Sequence, residues 1–223
     1  MGLGKLDISD QEFKSRVKKI QSNIKKERID LLILQGDEFN QGYVRYLLNY
    51  RPSLEQALIL VGTDNDPILL CGPECKVLAF NTSKIKDIRV CSDVAIPGEE
   101  YPNEQMYTLK QILKEIESSY KIKKVGMVDL NLIPNFILKN IKDVCKDKEI
   151  VNAAYIVDNL RVIKSEGELK LIRKAYEMGI VGINTGLKSL KTGKSESQIT
   201  GEMAYPVYQM GADQLSHYFY KHL

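Results

Sequence analysis

Apolar residues recur at intervals of four, three and four from Phe13 through Val17 and Ile20 to Ile24, which is the period of a helix with one buried stripe. Ser9 with Glu12 three residues on forms a capping box ahead of it, so residues 10 to 27 are predicted helical. LLILQ at 31–35 is a short unbroken apolar run that suits a strand buried on both faces. The aromatic segment YVRYLLNY at 43–50 is expected to be extended. ALILVG at 57–62 and PILLCG at 67–72 are strand-like and separated by the polar cluster TDND, the pattern of a hairpin. Pro73 is placed to open a helix, and IRVCSD at 88–93 predicts another strand. Met106, Leu109, Leu113 and Ile116 give a helical period within 103–118. KVGMVD at 124–129 returns to strand, Pro134 opens a helix carrying Phe136, Ile137, Ile141 and Val144, and EIVNAAYIV at 149–157 is expected as the last strand. Strands alternating with helices, with one hairpin among them, predict a mixed α/β sheet flanked by helices.

The pattern changes after Asp158, which divides the chain into an expected first domain at 1–158 and a second segment at 159–223. From Ser165, Leu169, Ile172, Tyr176, Ile180 and Ile183 repeat at three and four on a long helix, with Ser165 and Glu168 as a second capping box and Gly193 as a stop. Ser195 begins another helix, which Pro206 is placed to kink or end. Two helices in a 65-residue segment cannot bury both apolar faces by themselves. The first domain, another copy of the chain or a continuation must cover them.

Composition narrows the chemistry. The only two histidines, His217 and His222, fall in the last seven of 223 residues, so the preceding 216 offer no imidazole base or metal ligand. Residues 1–158 carry 23 basic and 23 acidic groups, and 159–223 carry nine and six, which supplies the whole net +3. A nucleic-acid partner would call for a far more basic face. Cys71, Cys75, Cys91 and Cys145 are too sparse for a disulfide scaffold, and their expected state is free, buried thiols in a reducing cytoplasm. MGLGKLDISD holds no apolar core of signal-peptide length, and no run approaches the ~18 apolar residues that span a bilayer. A cytoplasmic protein without membrane contact is expected.

NLRVIKSEGELKLIRKA at 159–175 resembles the linker and first catalytic-domain helix of the creatinase, prolidase and aminopeptidase P family, in which Arg-x-x-Lys-Ser precedes Glu-x-x-x-x-Arg-x-Ala. The matching residues are Arg161, Lys164, Ser165, Glu168, Arg173 and Ala175. Gly193, Ser195 and Glu196, then Gly211-Ala212, continue the likeness downstream; VRYLLNY at 44–50 and the Gly72-Pro73-Glu74 turn extend it upstream. Taken as residues alone, Ser165 is a helix cap and the charges around it are packing or salt-bridging groups.

The resemblance implies an N-terminal domain with an RNase H-like motif, followed by the first two helices of a pita-bread catalytic domain. In that family two divalent metals (manganese, cobalt or zinc), held by two aspartates, one histidine and two glutamates, activate the water that attacks a bond preceding proline or a related amide. Those motifs lie beyond the matched segments, so no cofactor is expected in this chain and the metals are expected only in a full-length relative. Asp213 and His217, four apart, stand ahead of the family's ligand positions and are not expected to bind metal. The expectation is therefore a truncated, non-catalytic N-terminal domain that forms a homodimer or pairs with a full-length relative and caps its active site. Proline-containing peptides or related small amides would be the family's substrates. Tyr46, Asn49, Tyr50 and Arg51 supply aromatic walls and a cation for such a pocket, or else belong to an ordinary edge strand; Tyr43 departs from the small polar residue many relatives show. A stand-alone binding or dimerisation module is the alternative.

Overall fold

A computed structural model describes residues 8–212, and the chain divides into two compact units, one at Ser9–Ile163 and one beginning at Lys164. The break thus falls beyond Asp158, which lies inside a helix.

In the first unit, helix α1 (Asp10–Lys26) starts where the Ser9 hydroxyl accepts the Glu12 N–H. Strands β1 (Leu31–Gly36), β2 (Ala57–Gly62), β3 (Ile68–Cys71), β4 (Asp87–Val90), β5 (Lys124–Met127) and β6 (Glu149–Asn152) form one mixed sheet in the order β4-β3-β2-β1-β5-β6. The hairpin is β2–β3, and β2 also runs antiparallel to β1, with Leu31 opposite Gly62 and Gly36 opposite Ala57. The remaining pairs are parallel. β1 is buried along its whole length because neighbours occupy both of its edges and helices both of its faces. Leu32, Leu34, Ile59 and Leu69 pack beneath α1, α2 (Gly42–Leu48), α3 (Lys76–Thr82) and α6 (Ala154–Val162). Leu31, Ile33, Leu58 and Leu60 pack beneath α4 (Leu109–Ser119) and α5 (Asn135–Val144).

Two expectations need correction. The segment expected to be extended is helical as far as Leu48: Tyr43, Val44, Leu47 and Leu48 are the buried residues of α2, a one-sided spacing that fits a short helix lying on the sheet. Asn49, at φ 58°, ends α2 in the left-handed conformation that asparagine tolerates. The run 149–157 is strand only as far as Asn152. There the Asn152 side chain accepts the Ala154 N–H and turns the chain into α6, so the expected linker is the second half of a helix.

In the second unit, α7 (Glu166–Ser189) opens with the complete Ser165–Glu168 capping box and α8 (Glu196–Gln209) with one from Ser195 and Gln198. Pro206 sits inside α8 without ending it. The two helices run antiparallel and close together: a Cβ on Gly182 would lie 2.9 Å from Val207 Cγ2, and one on Gly186 would overlap the Met203 side chain. Asp213, His217 and His222 lie outside the described residues.

Candidate functional site

The polar groups of the first unit gather where α1, α2 and α6 meet and at the loops beside the end of β1. Arg16 lies on the buried stripe of α1. Its guanidinium pairs with Glu12, donates to the Tyr46 carbonyl at 2.6 Å and stacks over the Tyr46 ring with its carbon 4.2 Å from the centroid. The Tyr46 hydroxyl reaches the Leu160 carbonyl at 3.3 Å. One helix turn away, the Tyr43 hydroxyl donates to Asp158 at 2.9 Å while Arg161 lies over the Tyr43 ring at 4.7 Å and 3.8 Å from Asp158. Burial and the Asp158 carboxylate push the Tyr43 hydroxyl up to about 12, so this tyrosine stays neutral and serves as a donor. Tyr43→Phe should lower stability by about 1 kcal/mol, the worth of one hydrogen bond to a charged but half-exposed acceptor; urea melts of the two proteins measure it.

Two loops beside β1 are held stiffly. The Asp37 carboxylate accepts the N–H groups of Phe39 and Asn40 at 2.8 and 2.7 Å, and Asn40 Nδ2 reaches Asp129 at 3.4 Å. The Phe39 side chain at the tip of this turn is 94% exposed. The loop from Asn49 into β2 carries Leu54 at φ 64°, 69% exposed. Next to it Glu55 turns inward, only 2% exposed, and accepts the Cys75 N–H at 2.9 Å; the Cys75 thiol donates to the Ser53 carbonyl. Burial pushes the Glu55 carboxyl up, opposed by the backbone N–H groups of Cys75 and Glu74. A Cβ at Gly72 would overlap the Glu55 carboxylate, so the Gly72-Pro73-Glu74 turn closes over a buried acid. β1 pairs with β2 so that Gly36 faces Ala57, which places both exposed tips, Phe39 after β1 and Leu54 before β2, at one end of the sheet.

The candidate residues on this segment do not converge. Tyr46 serves the α1–α2–α6 contact, Asn49 ends α2, Tyr50 is wholly buried beside Cys75, and Arg51 is half-exposed. Tyr50 therefore cannot be a wall of an open pocket, and the edge-strand alternative fails too, because Tyr46 lies in α2, Asn49 ends it, and neither Tyr50 nor Arg51 belongs to a strand. Among the signature residues, Arg161 binds Tyr43 and Asp158, and Ser165 and Glu168 cap α7. Lys164 and Arg173 are exposed, and Lys174 pairs with Glu177 at 3.2 Å. Arg16 was missed, although a cation on an otherwise apolar helix face was its signal. Glu55 gave no signal, since nothing local separates it from a surface acid.

The four cysteines are free and buried, and burial pushes Cys71 and Cys91 up to about 12 and Cys145 to about 11, far from the lowered range of catalytic thiols. No group of three or more metal-ligating side chains occurs among the described residues. No helix among them is long and apolar enough to cross a membrane.

Residues 16–163 match the creatinase/prolidase N-terminal domain. The chain belongs to that family. It is 25% identical over 122 residues to an Xaa-Pro dipeptidase of Pyrococcus horikoshii, covering 55% of this chain and 33% of that protein. It is 27% identical over 176 residues to an uncharacterized peptidase of Staphylococcus aureus, covering 78% of this chain and 45% of the relative. The crystal structure of the Pyrococcus horikoshii prolidase superposes with a TM-score of 0.66 at 21% identity, over 89% of this chain and 50% of the prolidase, a likeness of fold. The chain thus spans a third to about half the length of the relatives it matches.

Proposed function

We propose that the chain acts as the non-catalytic N-terminal domain of an Xaa-Pro dipeptidase- or aminopeptidase-like metallohydrolase, pairing with a second copy or a full-length relative and covering the partner's active site. The observation that carries this reading is the pair of braced loops at one end of the sheet, which present Phe39 and Leu54 to solvent. Large apolar side chains held out on stiff loops mark a contact surface, because little ordering entropy remains to be lost on docking. The metals and the peptide substrate belong to the catalytic half of such an enzyme, where two metals would supply the activated water. Free, buried cysteines fit a reducing cytoplasm.

The purified chain should not hydrolyse Xaa-Pro dipeptides with added manganese, cobalt or zinc; metal-dependent turnover that follows the protein through successive purification steps would overturn the proposal. Mixed with a full-length family member, the chain should associate, and Phe39→Ser with Leu54→Ser should weaken association about tenfold, the loss of an interface anchor. A stand-alone dimerisation module is the second reading, favoured by the exposed apolar side chains of Tyr176, Ile180, Ile183 and Leu187 on α7 among the described residues.

A further inference from the structure

Leu54 holds an unfavourable backbone conformation. Among the described residues the non-glycine positions with positive φ are Arg28, Asn49, Leu54 and Asp129, and of these Leu54 alone has a branched apolar side chain. Its φ is 64°, and across it the Glu55 N–H donates to the Ser53 carbonyl at 2.6 Å. A hydrogen bond closed between residues two apart over a positive φ is the rare, strained form of the γ-turn. Glycine would carry that backbone without steric cost. Leucine does not, and with its side chain 69% exposed it offsets little of the strain by packing inside the chain.

One residue holds the turn from both sides. Cys75, 2% exposed, donates its N–H to the Glu55 carboxylate at 2.9 Å and its thiol to the Ser53 carbonyl, so the residues before and after Leu54 are both tied to it. The Glu55 carboxylate lies hard against Gly72. With Glu55 fixed, Leu54 leaves the left-handed region only if the Ser53 peptide turns, and the thiol keeps that carbonyl in place.

We propose that Cys75 is a positioning residue that keeps Leu54 in its strained turn, so that the leucine side chain stands ready as an anchor for an apolar socket on the partner. The inference rests on the proposed docking of this end of the sheet. It adds what that docking selects: a branched side chain already in place, rather than a loop that orders on contact. Strain with no return inside the fold is the mark of a side chain used elsewhere, and an anchor already in its bound conformation loses little entropy on docking.

Thermal melts test the strain and the clamp. Leu54→Gly should raise the melting midpoint by about 2 °C, because glycine relieves the turn by more than its own flexibility costs. In a Cys75→Ala background about half or more of that gain should vanish, since the opened turn has already relaxed. Cys75→Ser keeps a donor for the Ser53 carbonyl and should preserve the gain. Calorimetric titration into a full-length family member, at a temperature where every variant is folded, tests the docking. Leu54→Gly should weaken association about tenfold despite its added stability, and Cys75→Ala about threefold, with Cys75→Ser restoring it. Ile141→Val, a core change on the other face of the sheet, should leave the affinity unaltered. A Leu54→Gly chain no more stable than its parent, an undiminished gain in the Cys75→Ala background, or an unchanged affinity for Leu54→Gly would each overturn the inference. If the unaltered chain does not associate at all, the proposed function falls, and the clamp is decided by the melts alone.

Discussion

Glu55→Ala should destabilise the Ser9–Ile163 unit by about 3 kcal/mol, the combined cost of a buried N–H left without its acceptor and of the space vacated. The carboxylate holds the Cys75 N–H and fills the hollow over Gly72, so the loop before β2 and the turn after β3 lose their common anchor together. Gly72→Ala attacks the same contact from the other side and should cost about 2 kcal/mol, because the anchored carboxylate has nowhere to move. In the Glu55→Ala background the Gly72→Ala cost should shrink by about 1 kcal/mol or more; strict additivity in a double-mutant cycle would show that the two sites do not share a contact.

The same acid gives a pH signature. Its carboxyl is raised by burial, so the folded chain holds that proton more tightly than the unfolded chain does. The stabilisation linked to Glu55 is then full below the ordinary glutamate value and is lost as pH rises through the raised one. Glu55→Gln keeps an acceptor without the charge. The stability difference between Glu55→Gln and wild type should move in favour of the variant as pH climbs from 4 toward neutrality; a flat difference in urea midpoints across that range would refute the assignment.

Arg16→Ala is expected to cost about 2 to 3 kcal/mol. The guanidinium is buried and joins α1 to α2 through the Tyr46 carbonyl, the Tyr46 ring and Glu12, and removing one member of a buried charge pair leaves the other uncompensated. The partial exposure of Glu12, at 24% of its side chain, keeps the loss below the full cost of a sealed pair. Arg16→Lys should recover less than half, since an ammonium cannot both stack flat on the ring and fork between two acceptors. Thermal melts of the three proteins decide it, and an Arg16→Lys variant as stable as wild type would remove the stacking contribution.

Much of this was legible along the chain. The runs at 31–35, 57–62 and 67–72 became β1, β2 and β3 because unbroken apolar stretches of that length can be satisfied only inside a sheet with both faces covered. The capping residues placed the starts of α1, α7 and α8, since a side-chain oxygen three residues ahead of a free N–H acts locally. Segment 43–50 misled because a seven-residue helix rich in aromatics has the composition of a strand; the contact of Tyr43, Val44, Leu47 and Leu48 with the sheet decides its form. Residues 149–157 misled because an apolar run does not announce where strand gives way to helix, and Asn152 marks that point only through the hydrogen bond its side chain accepts from the Ala154 N–H.

The sequence by itself determined the family likeness, the mixed sheet with one hairpin, the lack of a histidine-based centre before residue 217 and the two capped helices after residue 164. Each of these rests on local periodicity, a local cap or simple composition. Only the tertiary structure decided that Glu55 and Arg16 are buried hubs, that Tyr50 belongs to the core, that Phe39 and Leu54 stand out at the same end of the sheet, and that α7 packs against α8 at Gly182 and Gly186. Burial and convergence depend on which distant segments pack together, and that choice is made by the whole core at once rather than by neighbours in the chain.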